Sequence, residues 1–271
     1  MRAFLSANLL ALSAAVLAGA ATTGEELTES QVREIIAKFA AKETEFARAR
    51  ENYTYRQTVR LQEFDEGGAP AGRFEVVADI VFTSEGKRTE RVVKAPVPTL
   101  RLIQISPEDE QDLRNVQPFV LTTRDIEQFH VRYLGKETLD EIPCYTFAVR
   151  PKKLEPGKRY FQGIVWVDDR DLQIVKSYGR GVGLLKKGTD QQFPKFETYR
   201  EQIDGKFWFP TYTTANDLLI FENGHRVRIR MTVRYEDYKQ FKSDVKITFG
   251  DPVEEGAKKP EPPKPEGPKK P

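Results

Sequence analysis

The stretch RVRIRMTVRY, residues 226–235, alternates without a slip. Arg226, Arg228 and Arg230 fall on one side of an extended chain, and Val227, Ile229, Met231, Val233 and Tyr235 on the other. A helix would scatter these residues around its axis, whereas a period of two sorts them into one wet face and one apolar face. The same period starts at Tyr53 in NYTYRQTVRLQEF. It returns in GRFEVVADIVFTSEG, which sets Phe74, Val76, Ala78, Ile80 and Phe82 on a single face. KRTERVVKAP and PTLRLIQIS read as further strands, and from FHVRYLGKET to VRYEDY the pattern is strand after strand. Asp204-Gly205 and Asn223-Gly224 mark hairpins, on the expectation that both residues of each tight turn take positive φ. The pattern predicts a mainly β chain, an antiparallel and strongly curved sheet over about residues 52–241.

Two segments break the period. In residues 28–50, Val32, Ile35, Ile36, Phe39, Glu43, Phe46 and Arg50 recur at helical spacing, with Arg33, Glu34, Lys38, Lys42 and Glu45 opposite. Thr28 and Gln31 stand at the spacing of a capping box. This long helix must pack its stripe on the sheet. A shorter helix is predicted over 107–117, where Ser106 is placed to cap, Pro107 opens the first turn and Glu108 and Asp109 follow.

The two ends of the chain carry other signals. Met1-Arg2, an apolar run from Ala3 to Leu17 and the small residues Ala18-Gly19-Ala20 predict a secretory signal peptide over 1–20, cut after Ala20 or Ala21. About 20 apolar residues are needed to span a bilayer, and this run is shorter. Residues 250–271, rich in proline, lysine and glutamate, predict an extended, solvated tail. Between them, residues 21–249 are expected to form one domain, exported and soluble. Cys144 is the only cysteine. An internal disulfide is therefore ruled out, and so is lipidation of a first mature residue, so an ordinary core must hold the domain. Forty-three basic against forty-one acidic residues, interspersed, form no basic surface of the kind nucleic acid requires.

Asp168, Asp169 and Asp171 crowd into four positions, which invites a metal reading. A calcium loop wants oxygen ligands at alternating positions, but Arg170 stands third, and Val175 and Lys176 follow. With GIVWV before and LQIVKSY after, the aspartates read as a hairpin turn, where short carboxylates bond the nearby backbone. His130 and His225 lie in separate segments and, with one cysteine, make no conventional zinc site without help from carboxylates. No nucleophile elbow, HExxH helix or phosphate loop appears. The glycines of YGRGVG read as a loop leading to LLKKGTDQQ. No enzyme and no cofactor are expected.

What remains is apolar surface. QGIVWV is apolar on both faces, with Ile164 and Trp166 on one and Val165 and Val167 on the other, and KFWFPTY interleaves Phe207 and Phe209 with Trp208 and Tyr212. Ordinary core packing accounts for most of these residues. A strongly curved sheet with few helices nevertheless has difficulty filling its concave side, and an unfilled apolar concavity is where acyl chains bind.

Gly163, Ile164 or Val165, Trp166, Val167 and Asp168 match a G-x-[IV]-W-V-D strand, and Asp204, Gly205, Phe207, Trp208, Phe209 and Pro210 match a later DG-x-[WF]-[WF]-P phrase. In this order and spacing, over the C-terminal half, the chain resembles the LolA-like family of outer-membrane lipoprotein-sorting carriers. The resemblance implies an open half-barrel sheet capped by a long N-terminal and a short internal helix. It further implies a periplasmic carrier that accommodates lipid or lipoprotein acyl chains without a cofactor. The expected lining is Val227, Ile229, Met231 and Val233, facing Ile80 and Phe82, with Trp166 nearby. The alternative is an envelope-stress sensor or interaction module that uses the outer sheet face and the tail, with Arg226, Arg228 and Arg230 as a basic ladder for an acidic envelope partner.

Overall fold

The computed structural model describes residues 27–83, 85–184 and 192–240. The expected signal peptide (1–20) and tail (250–271) lie outside the described residues. Ten strands form one antiparallel sheet: β1 Tyr53–Phe64, β2 Pro70–Phe82, β3 Arg88–Lys94, β4 Phe129–Leu139, β5 Ile142–Pro151, β6 Tyr160–Asp168, β7 Ile174–Val182, β8 Lys195–Gln202, β9 Trp208–Ile220 and β10 Arg226–Gln240. Their order is β3-β2-β1-β10-β9-β8-β7-β6-β5-β4. The chain thus meanders from β4 to β10, and β10 then pairs with β1 in the middle of the sheet. β3 and β4 are left as the two edges, so the sheet is a half-barrel that does not close.

Register carries the apolar pattern across the strands. Val59 stands opposite Val76 on β2 and Val233 on β10, and Leu61 opposite Phe74 and Met231. Met231 continues the row to Ala215 on β9. The buried members of these rows belong to the main core, together with Phe147, Phe161, Val165 and Val167 from the other half. Arg226, Arg228 and Arg230 alternate with them and are exposed.

The long helix, α1 (Glu29–Arg50), begins at Thr28, whose hydroxyl accepts from the Gln31 N–H while the Gln31 side chain accepts from the Thr28 N–H. The capping box removes two of the orphan donors at the helix start. The stripe packs on the concave face, with Phe39 5.2 Å from Phe147 and Phe46 5.2 Å from Phe209, ring to ring. Glu43, a polar residue in the stripe, is fully buried against Arg200 of β8 at 3.1 Å and also accepts from the Ile174 N–H at 3.0 Å. Arg200 in turn donates to the Phe119 carbonyl. One buried ion pair therefore ties the helix, the sheet and the connection between β3 and β4 together.

That connection, residues 95–128, crosses from one edge of the half-barrel to the other over the concave face. It holds the short helix α2 (Pro107–Gln111), capped by Ser106, and then a wider π turn over Asp112–Val116. The expected helix over 107–117 is therefore α for one turn and π for the next.

Three sequence expectations change. PTLRLIQIS does not join the sheet. The backbone N–H groups of Arg101, Leu102 and Ile103 go instead to the carboxylate of Glu63, at 2.6, 3.0 and 3.1 Å. Gly72 allows this approach, since a Cβ there would stand 2.8 Å from the Leu100 Cα. YGRGVG is not a loop, because Tyr178 to Val182 complete β7. Its glycines provide clearance, since a Cβ on Gly181 would meet the Asp112 carboxylate 2.6 Å away. The hairpins at Asp204-Gly205 and Asn223-Gly224 form, but only the glycines take positive φ, +73° and +84°. The loops are longer than two residues and do not need a second left-handed position.

Candidate binding cavity

The carboxylates that invited a metal reading make a turn. Asp168 accepts from the N–H groups of Arg170 and Asp171 at 2.7 and 2.6 Å, closing the β6–β7 hairpin. Asp171 faces away and accepts from the Trp208 indole at 3.0 Å and the Gln202 amide at 2.6 Å. Asp169 lies 3.5 Å from Lys136. Among the described residues no group of three His, Cys, Asp or Glu side chains is placed to hold a metal ion.

The concavity is incompletely filled. Between the inner face of β1, β2, β8, β9 and β10 and the crossing segment lies a cavity of about 320 Å³. Its sheet wall is Val59, Leu61, Phe74, Phe196, Ala215, Leu219, Ile229 and Met231, and its other wall is Ile103, Ile105, Leu113 and Gln117 from the connection. Each wall has a local cause. The sheet side chains come from alternate positions of paired strands. The crossing segment is held in place by the buried Glu63 and the clearance at Gly72, so Ile103 and Ile105 hang over the sheet rather than joining it.

The cavity has a polar end, where Glu108, Asp109, Asp112 and Arg159 line it. Arg159 of the β5–β6 connection meets Asp112 with two nitrogens, Nε at 2.9 Å and Nη2, and both side chains are largely buried. Burial pushes the Asp112 carboxyl up, the Arg159 guanidinium pulls it down, and Asp109 and Glu108 push it up again, leaving it above its ordinary value. Gln117, where the π turn ends, is 5% exposed. It sets its amide nitrogen 3.7 Å from the Met231 sulfur, and its amide oxygen has no hydrogen-bond partner.

Of the residues the sequence singled out, Ile229 and Met231 line this cavity. Val227 and Val233 are fully buried in the core beside it, and Ile80 is fully buried farther along β2. Phe82 lines a second, smaller cavity at the other end of β1 and β10. Trp166 is on the opposite face of the sheet: its indole donates to Glu137 at 2.9 Å, and Lys176 lies over its ring at 5.1 Å. Ile164 shares that outer side by alternation, whereas Val165 and Val167 face inward and are fully buried. The connection's contributors were not named from sequence, because no period marks a segment whose hydrogen bonds go to a side chain.

The open half-barrel thus carries an apolar cavity between its sheet and a crossing strap. No family model and no curated protein matches the chain. Among solved structures it is similar to a DUF1329 family protein from Desulfovibrio piger, at 13% identity and a TM-score of 0.41, over 78% of this chain and 94% of that one. It is similar also to an outer membrane lipoprotein-sorting protein domain from Vibrio parahaemolyticus, at 10% identity and a TM-score of 0.35, over 76% and 93%. A third is the Pseudomonas aeruginosa MucA/MucB complex, at 11% identity and a TM-score of 0.23, over 76% and 100%. One of these carries the name of the family that the sequence motifs resemble. All three fall below a TM-score of 0.5, so the half-barrel rests on this chain's own sheet and the cavity on its own side chains.

Proposed function

We propose that the protein is a periplasmic binding or carrier protein that accommodates an acyl chain of a lipid or lipoprotein in the concave cavity, with no catalysis and no cofactor. The observation that carries this reading is the cavity itself. About 320 Å³ lies at the lower end of the range of ligand pockets, and its body is lined by aliphatic and aromatic side chains, with charge confined to one end. That polarity suits an amphipathic chain with its head at Asp112 and Arg159. A chain that buries ten methylenes gains about 8 kcal/mol before the costs of association, so the expected Kd is micromolar or weaker. The export signal read in the sequence supports the periplasmic setting, and a role in outer-membrane lipoprotein sorting is part of the proposal.

Native mass spectrometry of gently purified protein, with titration of a fluorescent fatty acid, tests the reading. Met231→Glu, which puts a carboxylate in the apolar wall, and Ala215→Leu, which fills the cavity without charge, are each expected to weaken the probe at least tenfold. Folded wild-type protein that neither carries lipid nor binds the probe would sink the proposal.

One observation favours a second reading, an envelope interaction module. Arg226, Arg228 and Arg230 lie exposed on the outer face beside the exposed Leu218 and Ile220. A pull-down from envelope extract that is unchanged when the three arginines become glutamates would remove the ladder from consideration.

A further inference from the structure

Four buried side-chain polar atoms among the described residues have no hydrogen-bond partner: Arg50 Nε, Arg88 Nε, Gln117 Oε1 and Thr146 Oγ1. The two guanidinium nitrogens in this group belong to arginines that line the same space. It is the cavity of about 140 Å³ at the far end of β1 and β10, whose wall also includes Arg114 and the rings of Tyr55, Phe82, Tyr235 and Tyr238. Three guanidinium groups thus border a space of aromatic character, and the exposed Glu51 is the one carboxylate residue on its wall.

Their counter-ions are unequally shared. Arg88 pairs with Glu90 and donates to Gln57 at 3.0 Å, while Arg114 reaches the same Glu90 oxygen at 2.9 Å and Glu110 at 3.0 Å. Arg50 has no ion pair and no side-chain hydrogen bond among the described residues. Of the nearby carboxylates, Glu43 is committed to Arg200. Glu51 is exposed, with its carboxylate against Gly86. Arg50 closes the last turn of α1, where the helix dipole favours a cation. An exposed arginine would serve that purpose, whereas this one has a sealed Nε. Burial holds the Arg50 guanidinium below its ordinary pKa, with Arg200 adding to the shift and Tyr55, Glu43 and Glu51 opposing it. Arg50 as a whole is half-buried, so its guanidinium with no ion pair is only partly solvated, and an incoming anion offsets that loss.

We propose that this cavity is a second ligand site, separate from the apolar one, which takes a carboxylate borne on a ring-sized apolar group. The size agrees, since an apolar cavity of about 150 Å³ holds benzene. The chemistry also agrees: a carboxylate accepts from guanidinium N–H groups in a paired, planar geometry, and the rings of Tyr55, Phe82 and Tyr238 supply the apolar walls.

Calorimetric titration of the full chain with phenylacetate, phenylacetamide, acetate and inorganic phosphate tests this. Phenylacetate is expected to bind at least tenfold more tightly than its neutral amide and than either small anion. It should leave a bound fluorescent fatty acid undisplaced. Arg50→Met is expected to lose at least tenfold in phenylacetate affinity while its ligand-free melting temperature stays level or rises. Equal binding of acid and amide by the wild type overturns the site without recourse to any variant. So does an Arg50→Met protein that binds phenylacetate like the wild type, or the absence of any binding. Acetate or phosphate binding as tightly as phenylacetate overturns the ring-bearing ligand.

Discussion

Replacing Glu63 by glutamine tests what holds the cavity's second wall in place. In the native protein the fully buried carboxylate accepts three backbone N–H groups, with Oε1 taking Arg101 and Oε2 taking Leu102 and Ile103. Glutamine keeps the shape but replaces one oxygen with an amide NH₂, so at least one N–H loses its acceptor. A backbone donor left unpaired in the interior costs about 1–3 kcal/mol. Each surviving bond falls from the charged range, about 1.5–3 kcal/mol, to the neutral range, about 0.5–1.5 kcal/mol. Together these come to about 3–5 kcal/mol, a large share of the roughly 5–15 kcal/mol that holds a domain. For a domain of this size each kcal/mol shifts Tm by about 2–4 °C, so the expected drop is roughly 6–20 °C. The loss is local to the strap, so binding of the fluorescent fatty acid should weaken with it. Gly72→Ala should reproduce both effects, because its Cβ would press on Leu100 from the sheet side. The assay is a thermal melt followed by circular dichroism, with probe titration at a temperature where every variant is folded. A Glu63→Gln protein that melts within about 2 °C of wild type and binds the probe normally would refute the reasoning.

Two further outcomes follow from single groups. Gln117→Met removes an amide oxygen without a partner, so the ligand-free protein should gain about 1 kcal/mol, read as a higher Tm, and a lower Tm would contradict the burial argument. At the alkaline end, burial and the hydrogen bond to Asp204 push the Tyr53 hydroxyl up to about 12 from an ordinary value of 10.0. A raised folded pKa means that the unfolded chain loses its proton first. The contribution is therefore whole below pH 10 and fades as the pH rises towards 12. Urea midpoints measured across that window should fall with pH, and Tyr53→Phe should flatten part of the slope; an unchanged slope would count against it.

Alternation alone carried much of the architecture. Residues 226–235 could only be a strand with one wet face and one apolar face, and Thr28 with Gln31 could be read as a helix start, because both depend on neighbours a few positions away. The same local logic assigned the three aspartates to a turn and placed Ile229 and Met231 on the inner face. It could not separate the two faces of a strand that is apolar on both, which is why Trp166 was expected inside and stands outside beside Lys176. PTLRLIQIS looked like a strand and became the strap, because its N–H groups found a carboxylate 38 to 40 positions away in sequence. YGRGVG looked like a loop and became β7, because Gly181 leaves room for Asp112, a residue that only the fold brings near. The inner face of the sheet was thus legible from period. The cavity between sheet and strap depended on contacts distant in sequence, which a short-range pattern does not carry.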